Sequence, residues 1–286
     1  MNDRPVSAGS KLACPWLYFG VTIGWTWLFW LPAAFMSMSV RTPAGAVLAL
    51  LGLLGPMATG IGFTYLTRDS EGRRDYWMRI IDLRRIPPRW YLLIFLFVPS
   101  LMAVTIAFDL VSGGNLLPIK KAIAPFVSSP LSLFPMALAV FFVGPFPEEL
   151  GWRGYVLDRL QEKRGALRSS LILGFFWALW HLPLFFIRDT YQYDKGAWTP
   201  WFWLFMIGII PLSVVFTWIF NNTSRSTLAV IFFHFMVVFT DEFLNQTLAT
   251  DLYSTLLWII AASLIICIRG SKTLTRSETP PEVART

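Results

Sequence analysis

Eight predominantly apolar stretches of roughly 20 residues, long enough to cross a hydrocarbon core of about 30 Å, recur along this chain. They lie near 16 to 38, 45 to 67, 90 to 111, 131 to 158, 168 to 187, 200 to 220, 226 to 246 and 252 to 268 of its 286 residues. Inside a bilayer no water is present to satisfy backbone N–H and C=O groups, so a spanning chain is confined to helices or a closed barrel. Stretches this long select helices, because a spanning strand needs only about 9–11 residues. The expected architecture is all-α: a polytopic transmembrane helix bundle of about eight spans. Composition agrees, with 55% hydrophobic and 14% charged residues, the latter about half the fraction of a soluble domain. Trp16, Trp90, Tyr91, Trp198, Trp201 and Tyr253 stand near window ends, as interfacial aromatic belts do.

The lysines and arginines between the windows are shared unevenly. With the N-terminus inside, eighteen fall on the cytoplasmic side: Arg4 and Lys11, seven arginines from Arg68 to Arg89, four residues from Arg159 to Arg168, Arg225 and four in the tail. Five fall outside: Arg41, Lys120, Lys121, Arg188 and Lys195. Positive charge concentrates in cytoplasmic loops, so both termini are expected in the cytoplasm of a multi-pass protein in a cell membrane. The net charge of +7 then needs no nucleic acid to explain it. Between Arg68 and Arg89, Tyr76, Trp77, Met78, Ile80, Ile81 and Leu83 alternate with arginines, the pattern of a short amphipathic helix on an anionic inner leaflet.

The chain divides into residues 1-129, with three spans and this basic loop, residues 130-268, with five spans and all the candidate chemistry, and residues 269-286. The last carry Pro280, Pro281 and mixed charge and read as a disordered cytoplasmic tail. Cys14 and Cys267 form neither a metal pattern nor a disulfide framework.

Ionisable groups at membrane depth are costly, which makes those within spans candidates for function. Three windows carry them. In the first, Gly144-Pro145-Phe146-Pro147-Glu148-Glu149, two prolines interrupt the span. A helix restarting with Pro147 in its first turn sets both carboxylates near a positive helix end. Glu149 and Arg153 stand four apart with the acid first, the favourable order for a helical ion pair, whereas Glu148 points about 100° away and stays available. A carboxylate in apolar surroundings suits a general acid or base. In the second window Trp177 precedes His181 by four residues, so the indole can pack against the imidazole on one helix face. In the third, His234, Asp241 and Asn245 share a face, with Val238 interrupting the polar stripe.

At 1.5 Å of rise per residue, Glu148 lies roughly 16 Å from Arg159, His181 roughly 20 Å from Arg168 and His234 roughly 12 Å from Arg225. All three therefore fall in one slab near mid-membrane. A Glu and two His at one depth can ligate zinc with an open position for water, or activate water directly while another donor holds the developing oxyanion. Both describe hydrolysis.

In these residues the chain resembles the CPBP family of intramembrane proteases, also called the CAAX protease and bacteriocin-processing or Abi family. Glu148, Glu149 and Arg153 match its first motif in full. His181 matches the second, with Trp177 where phenylalanine is usual. His234 matches the third, which has asparagine or a similar residue where this chain has Val238. The resemblance covers roughly residues 130 to 247. It implies a protease of a membrane, bacterial by analogy, whose lipid-embedded site cleaves a membrane-associated peptide or protein such as a prenylated CAAX-like or leader peptide. Glu148 and His181 are then expected to be catalytic by activating water, and His234 by holding the oxyanion. Glu149, Arg153, Trp177 and Asp241 support them, Asp241 as a substitute for the missing asparagine. No cofactor is certain, and zinc on Glu148, His181 and His234 is the alternative. Two other readings compete: a non-enzymatic member serving immunity or as a scaffold, which Val238 favours, and a proton-coupled transporter, against which the lack of an evident internal repeat counts.

Overall fold

The computed structural model describes residues 12–243 and 247–277. Among them the isolated bridge between Ser39 and Arg188 is the only strand-like pairing, and helices make up nearly all the rest. They are α1 (Pro15–Phe35), α2 (Pro43–Leu53), α3 (Gly55–Thr67), α4 (Ser70–Ile81), α5 (Pro88–Val111), α6 (Leu117–Ser128) and α7 (Leu133–Phe142). There follow α8 (Pro145–Gly151), a π-helical turn (Trp152–Val156), α9 (Leu157–Gln161), α10 (Ala166–His181), α11 (Tyr191–Lys195), α12 (Pro200–Asn222), α13 (Thr227–Asp241) and α14 (Leu248–Arg269). Local sequence sets several starts. In Thr42-Pro43 and Thr199-Pro200 the threonine hydroxyl accepts from the N–H of Gly45 and Phe202, both at 3.3 Å, while the proline's missing donor costs nothing in a first turn.

Six helices are long and apolar enough to cross a membrane: Pro43–Thr67, Pro88–Val111, Pro130–Gln161, Ala166–Phe186, Pro200–Asn222 and Leu248–Arg269. They coincide with six of the eight expected windows. The window near 16 to 38 is α1, 21 residues long but less apolar because it carries four tryptophans and two threonines. The window near 226 to 246 is α13, only 15 residues and so about 22 Å in length. It need not face lipid along its length, because α5, α8 and α12 surround it and Val230, Ile231, Phe233 and His234 are buried.

Lipid tails are as apolar as leucine, so helices in a membrane associate through close packing and hydrogen bonds. Both devices join α1 to its neighbours. The hydroxyls of Thr22 and Thr59 meet at 2.7 Å, Thr26 donates to the Gly52 carbonyl at 2.8 Å, and the Trp180 indole donates to Thr26 at 2.7 Å. Where α3 crosses α8 the backbones approach so closely that a Cβ on Gly60 would sit 2.8 Å from the Gly151 Cα, and one on Gly151 would sit 2.3 Å from the Pro56 carbonyl oxygen. This crossing fixes the helix that bears Glu148 and Glu149.

The basic segments converge at one end of the bundle. Asp158 pairs with Arg225, with Arg79 at 3.1 Å and with Arg68 at 3.8 Å, while Asp75 pairs with Arg79, Arg85 and Arg225. At the opposite end Arg41 meets Asp189 and Lys195 meets Asp251. α4 departs from the reading of a helix lying on lipid: Gly72, Tyr76, Arg79 and Ile80 are buried against protein. Tyr76 donates to the Leu150 carbonyl at 3.1 Å, and Arg79 donates to those of Arg153 and Gly154 at 3.4 and 2.7 Å. Where the chain loosens into a π turn, α4 supplies the donors. Burial draws the Arg79 guanidinium down to about 10, opposed by Asp158, so it keeps its charge at neutral pH.

The expected disordered tail begins with a docked segment. The carbonyls of Ser271 and Lys272 accept from the N–H groups of Leu167 and Ala166 at 3.0 and 2.7 Å. These donors open α10, where Gly165 has no side chain to cap them. The amides of Asn221 and Asn222 donate to Thr273 and Leu274, both at 2.9 Å. Residues 278–286 lie outside the described residues.

Removing a partner from a buried ion pair costs about 3–5 kcal/mol. Arg79→Met is therefore expected to lower the thermal unfolding midpoint in detergent. Arg84→Ala, whose side chain is 86% exposed, is expected to leave it unchanged.

Candidate active site

Three helices carry the ionisable residues to one place. α8 starts at Pro145, with Glu148 in its first turn, where the helix dipole favours a carboxylate. α10 brings Trp177 and ends on His181, with Pro183 two residues beyond. α13, packed on α8, brings His234.

The adjacent glutamates have different surroundings. Glu149 is fully buried, and both of its oxygens accept from Arg153 Nη1 at 3.0 Å. Its Oε1 also bonds His234 Nδ1 at 2.9 Å. Arg153 is held further by Ser213 Oγ at 3.4 Å and by the ring faces of Trp177 and Phe216, 4.8 and 4.7 Å from its guanidinium carbon. Glu148 instead accepts from Trp177 Nε1 through Oε2 at 2.6 Å, and its Oε1 has no hydrogen-bond partner among the described residues.

The histidines are oriented through their Nδ1 atoms. His181 Nδ1 lies 2.8 Å from the Trp177 carbonyl oxygen. A carbonyl only accepts, so Nδ1 carries the proton and neutral His181 keeps a lone pair on Nε2. Phe205 and Trp180 flank its ring at 5.3 and 4.7 Å between centroids. An ionised Glu149 likewise only accepts, so His234 is protonated on Nδ1. Its ring meets Trp177 and Phe216 edge-on, both at 5.3 Å.

Glu148 Oε1, His181 Nε2 and His234 Nε2 thus stand without protein hydrogen bonds among the described residues. Their side chains belong to residues that keep 5%, 8% and 5% exposure, whereas Glu149 and Arg153 keep none. The first three can meet a water or a substrate; the sealed pair can only hold its neighbours. Among the described residues no three His, Cys, Asp or Glu side chains group as a metal site. Glu148 Oε2 is turned to Trp177.

Asp241 is the last residue of α13, about 10 Å of helix rise beyond His234, and His234 Nδ1 bonds Glu149. Asn245 lies outside the described residues. Ser213, Tyr76 and Arg79 support the site and have no counterpart in the sequence reading. Arg79 carried a signal: it shares an i, i+3 stripe with Tyr76, an arginine on the face that a lipid-facing helix would keep apolar.

Glu149→Ala is expected to destabilise the protein by about 3–5 kcal/mol, because it leaves Arg153 buried and unpaired. The double variant Glu149→Ala, Arg153→Met is expected to lose less than the sum of the single changes, as coupled neighbours do. Thermal unfolding of the four proteins in one detergent measures this.

The family described as Type II CAAX prenyl endopeptidase Rce1-like matches residues 130–240 of the chain. That stretch holds Glu148, Glu149, Arg153, Trp177, His181, His234 and Val238, and stops one residue short of Asp241. The CAAX prenyl protease 2 of Methanococcus maripaludis is 29% identical over 255 residues, covering 88% of this chain and 93% of that protein.

Proposed function

We propose that the chain is an intramembrane endopeptidase of the CPBP or CAAX protease family that uses Glu148 and His181 to direct water at a peptide bond. The observation that supports this most is the pairing of commitments in the site. Glu148 is anchored through one oxygen and free at the other, and His181 is anchored through Nδ1 and free at Nε2.

A water held between Glu148 Oε1 and His181 Nε2 gives up a proton to one of them as its oxygen bonds to the carbonyl carbon. The carbonyl π pair moves onto oxygen. Collapse of the tetrahedral intermediate breaks the C–N bond, and the stored proton goes to the departing amine. General base action of this kind supplies about 10²–10⁴ in rate. His234 is the donor to the oxyanion. Its Nδ1 is committed to Glu149, so donation from Nε2 requires the imidazolium. Val238, one turn along α13, adds no second donor.

The substrate we propose is a membrane-associated peptide or protein. The name of the Methanococcus relative makes a prenylated CAAX-like C-terminus the first choice, with a leader peptide second. The excess of arginines at one end supports a cytoplasmic location for both termini, with the site reached from that leaflet.

Cleavage of a farnesylated peptide by purified protein tests the reading. Glu148→Ala and His181→Ala are expected to lose nearly all activity while unfolding at the wild-type temperature. His234→Ala is expected to lose about 10²- to 10³-fold, the usual cost of one oxyanion donor. Full activity in Glu148→Ala would end the assignment of Glu148 to water activation, and no cleavage by the wild-type protein would leave a non-enzymatic reading. Proton-coupled flux in liposomes would identify a transporter.

A further inference from the structure

Trp177 touches four of the five ionisable groups of the site. Its indole N–H donates to Glu148 Oε2 at 2.6 Å, and its carbonyl receives His181 Nδ1 at 2.8 Å. Its ring stands 5.3 Å from that of His234, and the Arg153 guanidinium carbon lies 4.8 Å from the ring centre. Only 2% of the residue is exposed. Phe216 packs on the ring at 5.5 Å, so the indole is confined and the direction of its N–H is set.

The hydrogen bond to Glu148 is the only one that this carboxylate's side chain makes among the described residues. Without it the carboxyl group could turn about its last torsion, which is broad and roughly two-fold. Either oxygen, or neither, would then face the water. A phenylalanine at 177 would fill much of the same space and could not donate. From this we infer that Trp177 is a positioning residue: its indole N–H fixes the Glu148 carboxylate with Oε1 directed at the attacking water. The inference rests on the proteolytic reading given above.

The peptide amide of residue 177 positions the other partner. One tryptophan therefore sets Glu148 through its side chain and His181 through its backbone, so the two water-binding atoms keep a fixed separation even when their helices shift. A misplacement of about 1 Å in such a pair costs about 10²-fold in rate, which is the effect expected on losing the N–H.

The experiment removes that hydrogen and nothing else. Trp177→3-benzothienylalanine, introduced by noncanonical incorporation, replaces N–H by sulfur in a ring of nearly the same shape. It is compared with Trp177→Phe, Glu148→Ala and wild type on a peptide carrying a farnesylated cysteine followed by three residues. For both Trp177 variants kcat is expected to fall by about 10²-fold with KM unchanged, and for the benzothienyl variant the unfolding midpoint is unchanged as well. A purely packing role predicts wild-type kcat for the benzothienyl variant and a loss only in Trp177→Phe, and that result overturns the inference while leaving the protease intact. A rise in KM at unchanged kcat overturns it as well, since it assigns Trp177 to substrate binding. Wild-type protein no more active than Glu148→Ala overturns both readings together, because Trp177 then orients nothing reactive.

Discussion

Two adjacent carboxylates inside an apolar bundle have to be neutralised from within, and the site is organised around the way this is done. Glu149 takes the Nη1 of Arg153 and the Nδ1 of His234. That leaves Glu148 with one neutral donor, the Trp177 indole. The division gives two different environments to one repeated residue: Glu148 keeps an oxygen free of protein partners among the described residues, and Glu149 has both oxygens committed. A buried ion pair is weak as a source of net stability and strong as a constraint, since breaking it strands a charge. Glu149 and Arg153 accordingly act as a rigid post against which His234 and Trp177 are set.

Much of this was legible in the sequence because the constraint is local. The i, i+4 spacing of Glu149 and Arg153, and of Trp177 and His181, survives into the structure, and two prolines announce the helix start at Pro145. Depth reckoned from the flanking arginines placed Glu148, His181 and His234 in one slab, and the structure gathers them around Trp177. The remainder depends on tertiary direction, which spacing does not encode. Periodicity suggests that an aromatic lies beside His181; it does not say that the indole N–H points across to another helix. Nor does it say that the Nδ1 of His234 meets Glu149 on α8.

The basic loop teaches a related lesson. A helix with arginines on several sides and apolar residues between them reads as a surface element, because lipid headgroups are the commonest partners for such a face. α4 instead turns Tyr76 and Arg79 toward the π turn after Glu149 and donates to three carbonyls there. A loosened turn is irregular backbone, and in a membrane protein irregular backbone persists where other protein groups satisfy it. The sequence of residues 152–156 gives no sign of that turn by itself. Its explanation lies about seventy residues upstream.

The segment after α14 has a consequence for how the protein is made. The opening N–H groups of α10, the helix that carries Trp177 and His181, are capped by the carbonyls of Ser271 and Lys272. The end of α12 is tied to Thr273 and Leu274. Chains emerge from the ribosome N-terminus first, so the groups that finish these two helices are synthesised after all of the helices α1 to α14. During translation Glu148, His181 and His234 are all in the membrane before the clasp that fixes their scaffold exists. The nascent chain therefore holds its site residues on a frame that stays open until residues 271–274 emerge.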